Sequence, residues 1–378
     1  MSLEPSSIKV AQLLFSGLGG HASVAFSLID GDQNHEWRHT LGFHGTVPLA
    51  PTNIKDCIDR RVPYRYLPAR PGKPWRGWPR IFFWLWAERP DAIVLHSTKA
   101  LLPVWLYAKL RKAPFLAVDH TSHALKTFGE WVMTSAAMLL ATRVILISPS
   151  SSAELSRVLG PLYRSARVAI IPNGIDTNVF APITTPFPQQ LIRRIGMAAR
   201  FSPTKRQDLL VMMMTHLSQI SPGIEWQLTL AGDGTEVDRV RALAAGSRAV
   251  IFEGVLSGPQ LVKWFQSLTV YIHASDGETL STSILQAMAC GIAIVASEVP
   301  GIIGQLGGTP PAGILVHEAT PEAFADAVAY IVAAPEVMKT VASTARTRVA
   351  NDFTHSGMFR AYSEVLRVTS SRANLDSR

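Results

Sequence analysis

Cysteine is almost missing from this chain: Cys57 and Cys290 are the only two in 378 residues. So sparse a supply supports neither a disulfide framework nor a thiolate metal cluster, and a reducing cytoplasm is the expected compartment. Long apolar runs are also lacking. "WVMTSAAMLLATRVILIS" comes nearest to membrane length, but Arg143 interrupts it, and it reads as a helix followed by a strand. The start, "MSLEPSS", is acidic and polar, without the basic residues and apolar stretch of a secretory signal. Lys and Arg form no strong consecutive block, and neither a zinc-ligand array nor an aromatic RNA-binding motif is visible. Nucleic acid is therefore not an expected partner. No acid pair of the Asp-x-Asp type stands in a suitable loop, so no metal and no other cofactor is expected.

What is present suits a globular protein of two domains. The apolar fraction is 47% and the charged fraction 17%, enough apolar surface to offset chain entropy. The formal net charge of +8 favours anionic partners, phosphorylated small molecules or anionic lipid. Short β-branched runs alternate with longer helical ones, the pattern of a parallel sheet wrapped by helices. "IKVAQLLFS", "DAIVLHS", "PFLAVDH" and "RVILIS" are the strands of a first half; "RIGMAAR", "WQLTLAG", "AVIFEG", "TVYIHAS" and "IAIVAS" restart the rhythm in a second. Between them "IPNGIDTNVFAPITTPFPQQ" carries an Asn-Gly turn and Pro182, Pro186 and Pro188, and reads as the linker. The expected fold is α/β, two Rossmann-like domains facing across a cleft, with residues 1–180 first, 181–352 second, and a helix at 353–368 packing back on the first.

Ligands of such sheets sit beyond the carboxyl ends of the strands, so the loops there are the ones to weigh. "SGLGGHAS" follows the first strand and contains Gly19 and Gly20. It reads either as a tight turn or as a place where bare backbone and a helix N-terminus meet a phosphate or a sugar. "ARFSPTKRQDLL" sets Arg200 at a strand end and Lys205 five residues on, with Asp208 and later acids not evidently neutralising them. The pair suits a diphosphate, and a solvated basic loop is the alternative. In "AGDGTE", Asp233 stands between glycines and reads as part of a turn. Glu278, in "DGETLSTS", follows a strand and precedes a helix that buries Ile284, Leu285, Met288 and Ala289. A carboxylate there would repel phosphate, so bonding to hydroxyls is its more economical role, and Gln286 can add a neutral donor and acceptor.

The run "SDGETLSTSILQAMACGIAIVAS" resembles the signature of the family 4 glycosyltransferases, retaining enzymes of GT-B fold, in which an acid, seven residues and a second acid precede "AMACG" and a strand. "AARFSPTKRQDLL", "LAGDG", "FEGVL" and "IPNGID" agree with it from about Arg143 to Ala296; the first hundred residues match in layout more than in letters. The resemblance implies a nucleotide-sugar donor, UDP- or GDP-linked, bound mainly by the second domain. It would have Arg200 and Lys205 hold the diphosphate, the backbone of Leu280, Ser281 and Thr282 cradle it, and Glu278 contact the donor sugar. Gln286 stands where the family usually has a second acid for the ribose hydroxyls, and a neutral bond there is weaker than a charge-assisted one.

His120, which ends "PFLAVDH", stands where similar enzymes place a histidine close to the transferred sugar; a structural role is the alternative. His96, His123 and Lys126 are lesser candidates on the acceptor side. "RPGKPWRGWPRIFFWLWAER" joins Trp75, Trp78, Trp84 and Trp86 to Arg70, Lys73, Arg76 and Arg80. These suit an anionic membrane surface, or else the tryptophans pack on the sheet. The expected activity is retaining transfer of a sugar to a glycan or lipid-linked acceptor, in polysaccharide or glycolipid assembly, in the cytoplasm or peripherally on the inner face of the cell membrane. The alternatives are a nucleotide-sugar epimerase or phosphorylase on the same fold, and a non-catalytic, membrane-associated scaffold.

Overall fold

The computed structural model describes residues 7–17, 20–70, 74–120, 126–183 and 192–375. The chain divides into two compact units, Met1–Gly174 with His355–Arg378, and Ile175–Thr354. The division thus stands at 174/175, where the sequence reading set it at 180/181, and the returning helix is His355–Leu375.

In the first unit the described strands are β1 (Ile8–Phe15), β2 (Trp37–Gly45), β3 (Tyr64–Pro68), β4 (Ala92–Leu95), β5 (Phe115–Asp119), β6 (Arg143–Leu146) and β7 (Val168–Ile170). All run parallel in the order β3-β2-β1-β4-β5-β6-β7. The second unit has β8 (Ile192–Ala198), β9 (Glu225–Ala231), β10 (Val250–Gly254), β11 (Val270–His273), β12 (Ala293–Ser297) and β13 (Ile314–Val316), parallel in the order β10-β9-β8-β11-β12-β13. Each sheet starts in its middle. The strand order reverses between β1 and β4, and again between β8 and β11, and such a reversal leaves a crevice at the carboxyl ends of the two strands.

Interior strands of a parallel sheet are covered on both faces and read as unbroken apolar runs. β4, β5, β11 and β12 are buried along their whole length, and apolar clusters lie on either face of each sheet. The strands that the sequence does not announce have a different setting. β3 ("YRYLP"), β7 and β13 lie at sheet edges and are largely exposed or half-buried; β3 carries no apolar run, and β7 and β13 are only three residues long. β2, "WRHTLGFHG", is interior but holds two histidines and two glycines, residues that favour no strand.

The helix His355–Leu375 packs against the helix Gly20–Gly31 of the first unit. Phe359 meets the Trp37 ring edge-on at 4.9 Å, and Arg367 pairs with Glu36 at 2.7 Å. Phe359 is buried, so Phe359→Ala should cost about 3–5 kcal/mol through lost transfer energy and an unfilled cavity. Urea unfolding measures this, and limited proteolysis should release the C-terminal helix sooner than in the parent; equal stability and equal cleavage would show that the helix is held elsewhere.

Candidate functional site

Because β8 and β11 are neighbours, the loops that follow them lie side by side and are joined by backbone bonds. Lys205 and Ser275 form a bridge, Arg206 N–H donates to the Ala274 carbonyl at 3.1 Å, and Asp276 N–H donates to that of Thr204 at 3.0 Å. Two distant stretches of sequence thereby share one site. The Lys205 ammonium donates to Glu278 Oε1, and His273 Nε2 lies 2.8 Å from the same oxygen. His273 ends β11 and is fully buried; its Nδ1 is 3.1 Å from Tyr271 Oη, which lies 2.8 Å from Ser283 Oγ. Burial, with the Lys205 charge beside it, holds His273 well below the usual histidine range. It is therefore a neutral ring whose Nε2–H donates to the Glu278 carboxylate. Burial, reinforced by the charge of Arg200, pushes the Lys205 ammonium down to about 8.

The acid that neutralises Lys205 is thus Glu278 itself. Asp208 is taken by Arg206 at 3.2 Å and Arg239 at 3.4 Å, and Arg206 also reaches Asp276 at 3.3 Å. Arg200 is exposed, two residues past the end of β8. Its loop is held by the turn around Asp233: Phe201 N–H donates to the Asp233 carbonyl at 3.0 Å, and Glu236 N–H to that of Phe201 at 3.2 Å. Gly234 has φ +154°, and a Cβ there would stand 2.1 Å from the Phe201 oxygen, so only glycine closes this turn.

Beyond Glu278, Ser281 caps the helix Thr282–Ala289 by accepting from Ile284 N–H at 3.4 Å. Gln305, fully buried, clamps the same residue: Ser281 N–H donates to Gln305 Oε1, and Gln305 Nε2 to the Ser281 carbonyl, each at 2.9 Å. Of the three residues from Leu280 to Thr282, Ser281 therefore has its amide engaged inside the protein. A Cβ at Gly301 would stand 2.2 Å from the Glu278 carbonyl, so the loop rests on the start of the helix Pro300–Leu306. Gln286 is half-buried one turn beyond Thr282. His273, Tyr271 and Gln305 escaped the sequence reading: the first two look like strand residues, and a lone Gln in "GIIGQLGG" carries no signal.

In the first unit, Gly20 opens the helix Gly20–Gly31, while Gly19 and His123 lie outside the described residues. A cavity of about 190 Å³ is lined by His21, His96, Lys99, Asp119, His120 and Lys126 among others. His96 is buried, and its Nδ1 is 3.1 Å from His120 Nε2. The Lys126 ammonium is buried, bonded to Asp119 and to Thr134 Oγ1 at 3.1 Å, and lies 4.9 Å from the centre of the Trp131 ring. It acts first as an internal partner of Asp119.

The tryptophans of residues 70–89 divide. Trp84 is only 8% exposed and belongs to the core, whereas Trp75, Trp86 and the adjacent Phe83 are 53%, 45% and 67% exposed. Trp78 is half-buried, with its indole N–H donating to the Lys99 carbonyl at 3.1 Å. Arg76 stands over Trp75 and Arg111 over Trp86. The neighbouring helix Leu101–Arg111 exposes Leu102, Leu106 and Leu110, a stripe at four-residue spacing. Lys73 lies outside the described residues. Among the described residues, no helix is long and apolar enough to cross a membrane.

Residues 18–179 match the family model described as Glycosyltransferase Family 4, and residues 192–334 that described as Glycosyl transferases group 1. The D-inositol 3-phosphate glycosyltransferase of Stackebrandtia nassauensis is 30% identical over 241 residues, 58% of this chain and 50% of that protein. Its counterpart in Acidothermus cellulolyticus is 27% identical over 242 residues, covering 58% and 51%. The chain spans about half the length of the curated relatives it matches. Among solved structures, Anabaena HepE in complex with UDP and glucose superposes with a TM-score of 0.80 at 20% identity, covering 95% of this chain and 99% of that one. The sucrose-phosphate synthase of Thermosynechococcus elongatus gives 0.78 at 19% identity, covering 97% and 100%. These are GT-B proteins, and the two parallel-sheet domains described above are of that architecture. Matched in both halves by glycosyltransferase models, this chain belongs to the family 4, or group 1, glycosyltransferases.

Proposed function

We propose that this protein transfers a sugar, with retention at the anomeric carbon, from a nucleoside-diphosphate sugar to a lipid-linked glycan at an anionic membrane surface. The observation that carries the donor half is the meeting of Lys205 and Glu278, beside the Arg200 loop, at the β8–β11 reversal. The UDP and UDP-glucose complexes of the similarly folded HepE favour a uridine donor.

In this reading Arg200 and Lys205 receive the diphosphate, Leu280 and Thr282 offer backbone N–H groups to it, Gln286 meets the ribose, and Glu278 bonds to sugar hydroxyls. The bond between the anomeric carbon and the β-phosphate oxygen breaks, and the electron pair leaves with the diphosphate. The acceptor hydroxyl adds to the same face of the sugar and gives its proton to the departing phosphate oxygen. Arg200 and Lys205 stabilise the charge that grows on that oxygen, which is electrostatic catalysis by preplaced groups. The reading calls for no metal, because the two cations supply the counter-charge.

Loss of either cation should weaken UDP binding by about tenfold or more, since a hydrogen bond to a charged group is worth ~1.5–3 kcal/mol. Calorimetry with folded Arg200→Ala and Lys205→Ala proteins measures this, and unchanged affinity with normal turnover would refute the phosphate assignment. The lysine also sets a pH dependence. Its ammonium holds an anion only while protonated, so affinity for UDP should be full below about 8 and fall as pH rises through that value. In Lys205→Arg the fall should vanish, because a guanidinium stays charged throughout. A parent profile that is flat across that pH excludes Lys205 as the phosphate ligand.

Glu278→Gln should lower turnover while leaving UDP affinity intact or tighter, because the substitution removes a sugar contact and releases Lys205 from its acid. Unimpaired turnover in this variant would sink the sugar assignment.

The acceptor half rests on the exposed Trp75, Phe83 and Trp86 with the leucine stripe Leu102, Leu106 and Leu110, interleaved with Arg76, Lys109 and Arg111. Rings and aliphatic chains at headgroup depth, with cations toward anionic lipid, hold a protein on a bilayer without a span. Co-sedimentation with anionic vesicles should exceed that with neutral ones, fall with salt, and be lost in the double variant Phe83→Glu, Leu106→Glu. Equal recovery on both vesicle types would favour instead a soluble phosphorylated polyol, the acceptor class in the name of the D-inositol 3-phosphate relatives.

A further inference from the structure

Five side chains of the first unit form a continuous line of polar contacts across four adjacent strand positions, in the sheet order β2-β1-β4-β5. Asp32 follows the helix Gly20–Gly31, and its Oδ2 is 3.3 Å from Nε2 of His39, on β2. His39 Nδ1 is 3.2 Å from Nε2 of Gln12, on β1. Gln12 Oε1 is 3.0 Å from Nε2 of His96, just after β4, and His96 Nδ1 is 3.1 Å from Nε2 of His120, just after β5. Asp32, Gln12 and His96 are buried, and the His39 side chain is only 7% exposed. The line ends at His120, a wall of the cavity, whose ring stacks on His21 at 4.6 Å and on His96 at 5.3 Å.

Proton counting gives the line a direction. Burial alone would raise the Asp32 carboxyl, but bonds from His39 and from the backbone N–H groups of Trp37 and Glu36 outweigh it and hold the group below the usual carboxylate range. Ionised, it only accepts, so His39 Nε2 carries a proton. The amide N–H of Gln12 faces His39 Nδ1, which is therefore bare, and the amide oxygen faces His96 Nε2, which must carry a proton. His96 Nδ1 is then bare and takes the proton of His120 Nε2. Burial pushes His96 down to about 3 and His120 well below the usual range, consistent with one proton on each ring. The opposite direction would require the Gln12 amide turned over and both nitrogens of His39 protonated.

We propose that Asp32, His39, Gln12 and His96 are positioning residues that fix His120 in the Nε2–H tautomer, so that its Nδ1 offers a lone pair to a substrate hydroxyl. The use of that lone pair on a hydroxyl rests on the transferase reading above. The tautomer does not, and it can be observed without turnover.

The test uses the full-length chain with ring-¹⁵N histidine and long-range nitrogen–proton correlation spectra, the His120 signals being assigned with His120→Gln. The parent should show a neutral His120 protonated on Nε2. In Gln12→Met, of similar length but without donor or acceptor, His96 loses its constraint and His120 should divide between tautomers. Gln12→Glu still accepts from His96 Nε2–H and should keep His120 as in the parent, a rescue that packing alone would not produce. A parent His120 protonated on Nδ1 overturns the proposal, whether or not the variants fold. So does an unchanged His120 tautomer in folded Gln12→Met.

Discussion

The parallel pairing of β8 with β11, Val270 opposite Ile195 and Tyr271 opposite Gly196, underlies the second unit's site. It sets side by side two loops whose residues Lys205 and Glu278 lie 73 positions apart. Every other feature of the site serves that juxtaposition. The turn around Asp233 props the Arg200 loop, Gln305 clamps Ser281, and Gly301 lets the Glu278 backbone settle on the helix beneath. Parallel strands need a long crossover between them, so only a fold that restarts beside its own first strand brings such residues together.

Within that frame the electrostatics are finely balanced. A buried ion pair gains little net stability, because desolvating two charges offsets much of their attraction. Glu278 is also held by His273, which is neutral and donates through Nε2, so the carboxylate keeps a partner when the ammonium is drawn elsewhere. In the proposed donor complex the diphosphate competes with Glu278 for Lys205, and the freed carboxylate turns to hydroxyls. On the proposed reading, one residue balances the free site and recognises the sugar in the occupied one.

The first unit uses the same kind of reversal, between β1 and β4, for a different purpose. There Gln12 and His96 come together inside the sheet's end, and the line through them carries the influence of Asp32 to His120. Buried polar networks of this kind are costly unless every member is satisfied, and here each named contact pairs one donor with one acceptor. The outer helices of the unit have the opposite character, with rings and leucines left exposed among arginines and lysines.

The amino-acid order by itself determined the α/β rhythm, its restart in the second half, and the positions of Arg200, Lys205, Glu278 and His120 just past strands. Strands buried on both faces must be largely apolar, and loops at their ends must carry the polar groups, so both leave local marks. The edge strand β3 left none, being largely exposed, and β13 is too short at three residues to stand out. Only the tertiary structure decided who meets whom: Lys205 with Glu278 and not with Asp208, Ser281 with Gln305, Gln12 with His39 and His96, and Trp84 in the core while Trp75 and Trp86 face outward. Those choices depend on strand order and on helix rotation against the sheet. Both arise from packing between segments far apart in the chain, and no local pattern of residues encodes them.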